Sequence, residues 1–146
     1  SGAQIFIDYA HNAASFDAVL STMRPEALRL IVLFGAGGDR DPARRPVMGA
    51  LAERYADTII VTTDNPRSED PVRIAEQIVA GIGDRSKVIV ELDRARAIER
   101  ACTMLQAGTI LLLLGKGPDE YQLVQGAKMP FSEREILARY GAILQS

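Results

Sequence analysis

The chain has 146 residues, 47% of them hydrophobic, with a formal net charge of −2, one histidine and one cysteine. That is enough for one well-buried core and too little for a second, so a single domain over residues 1–146 is expected. The charge, and aromatics at 5% with no tryptophan, exclude a general attraction to nucleic acid or an anionic membrane; a lone histidine excludes a histidine-rich metal site.

Ser1-Gly2 reads as an expression remnant, and a strand follows within a few residues, which suggests a domain excised from a longer protein. Ile5-Phe6-Ile7 is that strand, and Asp8-Tyr9-Ala10-His11-Asn12 is the loop at its carboxyl end. Ser15 is a plausible N-cap for a helix carrying Phe16, Val19, Leu20 and Met23 at helical spacing, stopped by Pro25. Leu30 to Phe34 form a second apolar strand, followed by the Gly-rich turn Gly35 to Asp41. Its glycines either let N–H groups face a ligand or let the loop pack closely; it is neither a G-x-G-x-x-G nor a phosphate-binding G-x-x-x-x-G-K-[ST] sequence. Pro46 suits a first helical turn, and Val47, Ala50, Leu51 and Tyr55 make the inward stripe, leaving Arg40, Arg44 and Arg45 at the rim.

Thr58 to Thr62 read as a buried parallel strand, so Asp64-Asn65-Pro66-Arg67 falls just past a carboxyl end, where open α/β sheets bind ligands. Pro66 restricts its own φ and pushes Asn65 toward extended backbone. A carboxylate and an amide oxygen accept from an ammonium group, and a guanidinium fork grips a carboxylate, so the tetrad suits a zwitterionic amino acid. The plainer alternative is a strand-to-helix turn with a solvated arginine.

Asp70 and Pro71 then launch a helix with Ile74, Ile78 and Ile82 inward, Lys87 to Glu91 hold a fourth strand, and Arg94 to Gln106 a fourth helix ended by Gly108. Cys102 falls on that helix's inner stripe with Ile98, Ala101 and Leu105; unable to form an internal disulfide, it fits a reducing cytoplasm. No apolar run approaches the ~20 residues of a membrane span, and no signal peptide opens the chain. Thr109 to Leu114 is the most apolar run, expected as a central strand, with Gly115 to Tyr121 at its carboxyl end. Tyr121 to Val124 and Lys128 to Phe131 read as a hairpin; Ser132 and Glu135 match a capping box for a last helix carrying Ile136, Leu137, Tyr140, Ile143 and Leu144 inward. The predicted fold is a three-layer, Rossmann-like α/β domain, with a mostly parallel sheet, a carboxyl-terminal β-hairpin and four polar loops converging on one sheet edge.

Five blocks together carry a resemblance that none carries alone: Asp8-Tyr9-Ala10-His11-Asn12; Gly35 to Asp41 running into Arg45-Pro46-Val47-Met48-Gly49; Asp64-Asn65-Pro66-Arg67; Gly115-Lys116-Gly117; and Tyr121-Gln122. In order and spacing the chain resembles the carboxyl-terminal domain of the Mur ligases, nearly end to end, and most of all the members that add the third residue of the peptidoglycan stem peptide. The resemblance implies an ATP-dependent amide-forming ligase in which a UDP-MurNAc-dipeptide carboxylate is phosphorylated and then attacked by an amine. ATP and Mg would be held mainly by a central domain not in this sequence, so the isolated domain should be inactive. By position in the family's motifs, Arg40, Asp64, Asn65, Arg67, Gly115 and Asp119 would hold the amino-acid substrate, while Asp8, His11 and Asn12 would face the nucleotide. The resemblance implies no metal ligand and no catalytic residue in this domain.

The sequence departs from the family pattern twice. Pro118 stands where the family has histidine, which leaves Asp119 as the in-register carboxylate and Glu120 as its competitor; Ala13-Ala14 replaces a Pro-Asp pair just after the first loop. In the family that the chain resembles, this tetrad goes with diaminopimelate-adding members and different tetrads with lysine-adding ones, so the resemblance implies diaminopimelate in preference to lysine as the partner amino acid. The alternatives are a stand-alone carboxylate-binding α/β module and a related ligase with lysine or another acceptor.

Overall fold

The computed structural model describes residues 2–116, 119, 121–125, 127–139 and 144–145. Five apolar runs form parallel strands β1 (Gln4–Asp8), β2 (Arg29–Phe34), β3 (Thr58–Val61), β4 (Val88–Val90) and β5 (Thr109–Leu114). Helices α1 (Ala13–Met23), α2 (Arg44–Tyr55), α3 (Pro71–Val79) and α4 (Arg94–Cys102) connect successive parallel strands. The antiparallel hairpin β6 (Tyr121–Val124) and β7 (Ala127–Pro130) follows, then helix α5 (Glu133–Ala138). A short last strand, β8 (Leu144–Gln145), extends the main sheet to the order β4-β3-β2-β5-β1-β8.

The two-residue period of a strand sends alternate side chains to opposite faces, and both faces here are covered. Leu30, Val32, Phe34, Ile59, Val61, Leu112 and Leu114 pack with Phe16 and Leu20 of α1, Met48 and Ala52 of α2, and Ile74 and Ile78 of α3. Ile5, Ile31, Leu33, Ile60, Leu111 and Leu113 pack with Ala97, Ile98 and Ala101 of α4 and Ile136 and Leu137 of α5. Each buried Val, Leu, Ile, Phe or Met side chain among them contributes about 1.5–3 kcal/mol relative to exposure, which is why the three-layer order is fixed. β5 lies between β2 and β1, the central position its composition predicts.

Several sequence expectations are corrected. The N-cap of α1 is Asn12 rather than Ser15: Asn12 Oδ1 accepts from Ser15 N at 2.9 Å and Ser15 Oγ accepts from Asn12 N at 3.2 Å, a reciprocal box that starts the helix at Ala13. On α2 the inward face is Arg45, Met48, Gly49 and Ala52, while Val47 and Ala50 are exposed. The stripe is rotated because Arg45 turns inward to an ion pair and α3 passes close to Gly49, where a Cβ would lie 2.2 Å from the Ile78 carbonyl oxygen. α4 stops at Cys102, short of the expected end at Gln106, so Gly108, at φ +85°, leads into β5 rather than ending the helix. β7 begins one residue before its expected start. Leu144 sits in β8, paired with β1 beside Ile5, and not in a helix; Tyr140 and Ile143 lie outside the described residues.

Cys102 packs partly buried against the α4–α5 side of the core, and burial raises its thiol pKa, as suits a packing role. Among the described residues no helix is long and apolar enough to cross a membrane.

Candidate functional site

The carboxyl ends of β1, β2, β3 and β5 open on the same sheet edge, and their loops surround a cavity of about 180 Å³. The first loop contributes Tyr9 and His11, the Gly-rich turn Gly37, Arg40 and Asp41, and the start of α2 Arg44 and Arg45. The tetrad contributes Asp64, Asn65 and Arg67, and the loop after β5 contributes Gly115 and Asp119. All six residues marked for an amino acid, Arg40, Asp64, Asn65, Arg67, Gly115 and Asp119, thus line one cavity. Of the three marked as nucleotide-facing, only His11 does.

The other two spend their side chains on their own loop. Asp8 Oδ1 accepts from Ala10 N at 2.8 Å, and Asn12 caps α1. His11 is exposed, its ring 4.9 Å from that of Tyr9; Nδ1 lies 2.9 Å from the Tyr9 carbonyl oxygen, which can only accept, so Nδ1 carries the proton.

The Gly-rich turn is glycine-rich because the tetrad lies against it. Gly38 N donates to the Asn65 carbonyl at 2.7 Å, and a Cβ on Gly38 would meet the Pro66 carbonyl oxygen at 1.9 Å. Across the same seam Arg67 Nη1 donates to the Gly38 carbonyl at 3.0 Å and Ser68 Oγ to Asp39 Oδ1 at 2.6 Å. Arg67 has φ +52°, an uncommon left-handed conformation for a non-glycine residue, held by two backbone bonds to the hairpin: its N–H donates to Leu123 O and its carbonyl accepts from Gln125 N, both at 2.9 Å. Gln122 Nε2 donates to the Asp64 carbonyl at 3.0 Å. The tetrad loop is therefore fastened on one side to the Gly-rich turn and on the other to a hairpin.

Beneath the tetrad is Lys116, fully buried, whose Nζ donates to Tyr121 O at 2.8 Å and Asn65 Oδ1 at 3.1 Å and lies 3.5 Å from Asp64 Oδ1. Burial lowers its pKa, and the Asp64 carboxylate opposes that shift. Asn65 Oδ1 also accepts from Leu123 N at 2.9 Å, so both its lone pairs are taken. This corrects the expectation that Asn65 offers an oxygen to an ammonium group: what it has left is its NH2, a donor suited to a carboxylate.

Gly115 has φ +109°, its N–H donates to the Asp8 carbonyl at 3.0 Å, and a Cβ there would lie 2.7 Å from Asp64 Oδ2. A side chain at this position would thus be strained and would strike the Asp64 carboxylate. The Asp119 side chain makes no hydrogen bond or ion pair among the described residues, and its backbone N–H donates to Lys116 O at 3.0 Å. Arg40 is exposed, and among the described residues its guanidinium reaches only its neighbour's carbonyl at 3.3 Å. Arg45 is not a rim charge: it is buried, donating to both Glu69 oxygens at 2.9 and 3.0 Å and to Gln77 Oε1 at 2.7 Å. The Arg45 hydrogen bonds hold the Glu69 carboxyl pKa below the usual value.

A second buried pair sets the spacing of the loops. Arg94 Nε donates to Glu133 Oε2 at 2.7 Å, Nη1 to the Thr63 carbonyl at 3.1 Å and Nη2 to the Leu114 carbonyl at 3.2 Å. Those carbonyls immediately precede Asp64 and Gly115. Lys116, Arg94, Glu133 and Gln122 were not marked as site residues from sequence; a buried lysine or arginine carries no local signature, and neither does the glutamate that pairs with it.

Among the described residues no group of three or more His, Cys, Asp or Glu side chains is arranged to hold a metal ion. The donor set around the cavity suits a small zwitterion instead: guanidinium and amide N–H groups for carboxylates, and the Asp119 carboxylate, without a partner among the described residues, for an ammonium.

Residues 1–117 match the family described as Mur ligase, glutamate ligase domain. The chain is 46% identical over 134 residues to a UDP-N-acetylmuramoyl-L-alanyl-D-glutamate–2,6-diaminopimelate ligase of Aquifex aeolicus, covering 91% of this chain and 28% of that protein. It is 48% identical over 132 residues to the ligase of the same description from Synechococcus elongatus, covering 90% and 27%. A solved structure of a ligase so named superposes with a TM-score of 0.90 at 34% identity, covering 96% of this chain and 29% of that one. The chain spans little more than a quarter of the length of these relatives.

Proposed function

We propose, from the premise that this chain belongs to the Mur ligase family by its glutamate ligase domain, that it is the amino-acid-receiving domain of an ATP-dependent ligase. That ligase adds meso-diaminopimelate, in preference to lysine, to a UDP-MurNAc-dipeptide in the cytoplasm during peptidoglycan synthesis. Residues 1–146 serve as one domain of the longer enzyme. The observation that carries the reading is the donor pattern of the cavity, where Arg67, Arg40 and the Asn65 NH2 converge with the carboxylate of Asp119.

In this reading Arg67 and the Asn65 amide grip the carboxylate at the far, non-reacting end of diaminopimelate, and Asp119 takes the ammonium group beside it. Gly115 leaves room for the ligand against Asp64, and Arg40 supplies a further cation from the facing turn. Holding the far end fixes where the reacting amine lies, so positioning is this domain's part in the catalysis. When bound, ATP with Mg supplies the phosphoryl group that activates the acceptor carboxylate; we assign those ligands to the rest of the enzyme. His11, at the outer rim, faces that side, with Asp8 and Asn12 shaping its loop.

Lysine lacks the second carboxylate and leaves a guanidinium without its partner, and a site built around a polar group rejects an analogue lacking it by on the order of 10⁴ or more. Arg67→Lys, which keeps the charge and loses the planar fork, should raise the diaminopimelate KM strongly; Arg67→Ala should raise it further and narrow the preference over lysine. Steady-state kinetics of the full-length variants with both amino acids test this. Unaltered selectivity in Arg67→Ala removes the tetrad from recognition, and a wild type that prefers lysine reassigns the acceptor.

A further inference from the structure

We propose that Lys116 is a specificity-positioning residue. Its ammonium group fills the inner acceptors of Asp64 and Asn65, so the cavity floor is electrically neutral and offers the Asn65 NH2, and the floor receives a carboxylate in preference to an ammonium group. The proposal rests on the reading of the cavity as an amino-acid site given above.

The geometry carries it. An ammonium group has three donors, and Lys116 Nζ has three oxygens around it: Tyr121 O at 2.8 Å, Asn65 Oδ1 at 3.1 Å and Asp64 Oδ1 at 3.5 Å. Lys116 is fully buried and Asp64 nearly so, and at low dielectric one charge left without its partner dominates the local field. The nearby Arg94 and Glu133 neutralise each other across 2.7 Å and leave the balance at the floor to Lys116 and Asp64. Without Lys116, the Asp64 carboxylate faces the cavity uncompensated, one of the Asn65 oxygen's two partners is gone, and the floor repels the second carboxylate of a diamino diacid while attracting the side-chain ammonium of lysine.

A lysine that served only to stabilise the fold would, when replaced, weaken both amino acids equally. The ratio of kcat/KM for meso-diaminopimelate to that for lysine therefore isolates the proposed role. In the full-length ligase we expect Lys116→Met to lower that ratio at least about tenfold, through KM more than kcat, with the KM for ATP unchanged. Adding Asp64→Asn to Lys116→Met removes the stranded anion, and the ratio should climb back toward the wild-type value. If Lys116→Met alone does not fold, Asp64→Asn compared with the double variant makes the same test without a stranded anion. There the Lys116 ammonium, no longer balanced by Asp64, should hold the ratio above the wild-type value, and its loss should lower the ratio at least about tenfold, back toward that value. Ratios unmoved by removal of Lys116 in both backgrounds overturn its role and leave the amino-acid reading standing. A wild type indifferent to the second carboxylate overturns that reading and this proposal with it.

Discussion

Arg94 gives the sharpest test of how the site is supported. Its guanidinium and the Glu133 carboxylate have side-chain exposures of 0% and 1%, and Glu133 Oε1 is buried without a hydrogen-bond partner among the described residues. Arg94→Met keeps the apolar stem but strands that carboxylate and removes the donors of the Thr63 and Leu114 carbonyls. Breaking a buried pair from one side costs about 3–5 kcal/mol. The two carbonyls add to it less than their separate desolvation costs of about 1–3 kcal/mol each, since the loosened edge admits water. A loss of at least about 4 kcal/mol is a large part of the ~5–15 kcal/mol available to a domain, and it should lower Tm by at least roughly 8–16 °C. Urea unfolding of the 146-residue chain followed by far-ultraviolet circular dichroism measures it directly. Arg94→Met combined with Glu133→Leu should regain most of the loss, because replacing both charges by apolar groups is close to neutral. A single variant within about 1 kcal/mol of wild type would refute the reasoning, since it would mean the pair is solvated or already uncoupled from the sheet edge.

Asp119→Asn in the full-length ligase should raise the amino-acid KM roughly 10- to 150-fold, the equivalent of one charge-assisted hydrogen bond, and leave the KM for ATP unchanged; a larger effect from Glu120→Gln would move the recognition carboxylate by one residue. Gly38→Ala should destabilise the chain by about 1–3 kcal/mol, because its Cβ would meet the Pro66 carbonyl oxygen at 1.9 Å, and a thermal melt matching wild type would show that the seam between the two loops gives way freely. Glu69 is held below its ordinary pKa first by its Arg45 hydrogen bonds and then by the Asp39 N–H. Its contribution is therefore complete above the unfolded-state pKa and lost as pH falls through the folded-state value. The gap in urea midpoint between wild type and Glu69→Gln should accordingly be widest near neutrality and close as pH falls below the usual carboxylate range, and a gap independent of pH would contradict the assignment.

The strands and most helices were legible because burial on two faces writes itself as β-branched and leucine runs, and capping residues such as Asp70 and Ser132 mark their helices. The convergence of four loops followed from topology. What escaped was everything decided by long-range charge. Arg45 reads as a solvated rim residue until Glu69, 24 positions later, is brought against it, and the stripe of α2 rotates accordingly. Lys116 sits between two glycines in a loop, a setting that predicts exposure; only the hairpin folded over it makes it part of the interior. Asn65 lines the cavity, but its role depends on which of its two amide atoms is already taken, and the partners that decide it lie 51 and 58 residues away. Strand β8 is too short for any periodicity to show.

The order β4-β3-β2-β5-β1-β8 also fixes a timetable for the nascent chain. β3 reaches one side of β2 soon after β2 itself is made, but the other side waits for β5, some 75 residues further along, and β1 waits longer still for the same partner. At roughly 5–20 residues per second that is about 4–15 s during which the Leu30–Phe34 edge has no neighbour to pair with. An unpaired apolar edge is a template for other chains, so a ribosome stalled before Thr109 would release a fragment prone to aggregate, whereas one stalled after Leu114 would release a chain whose five principal strands can already close.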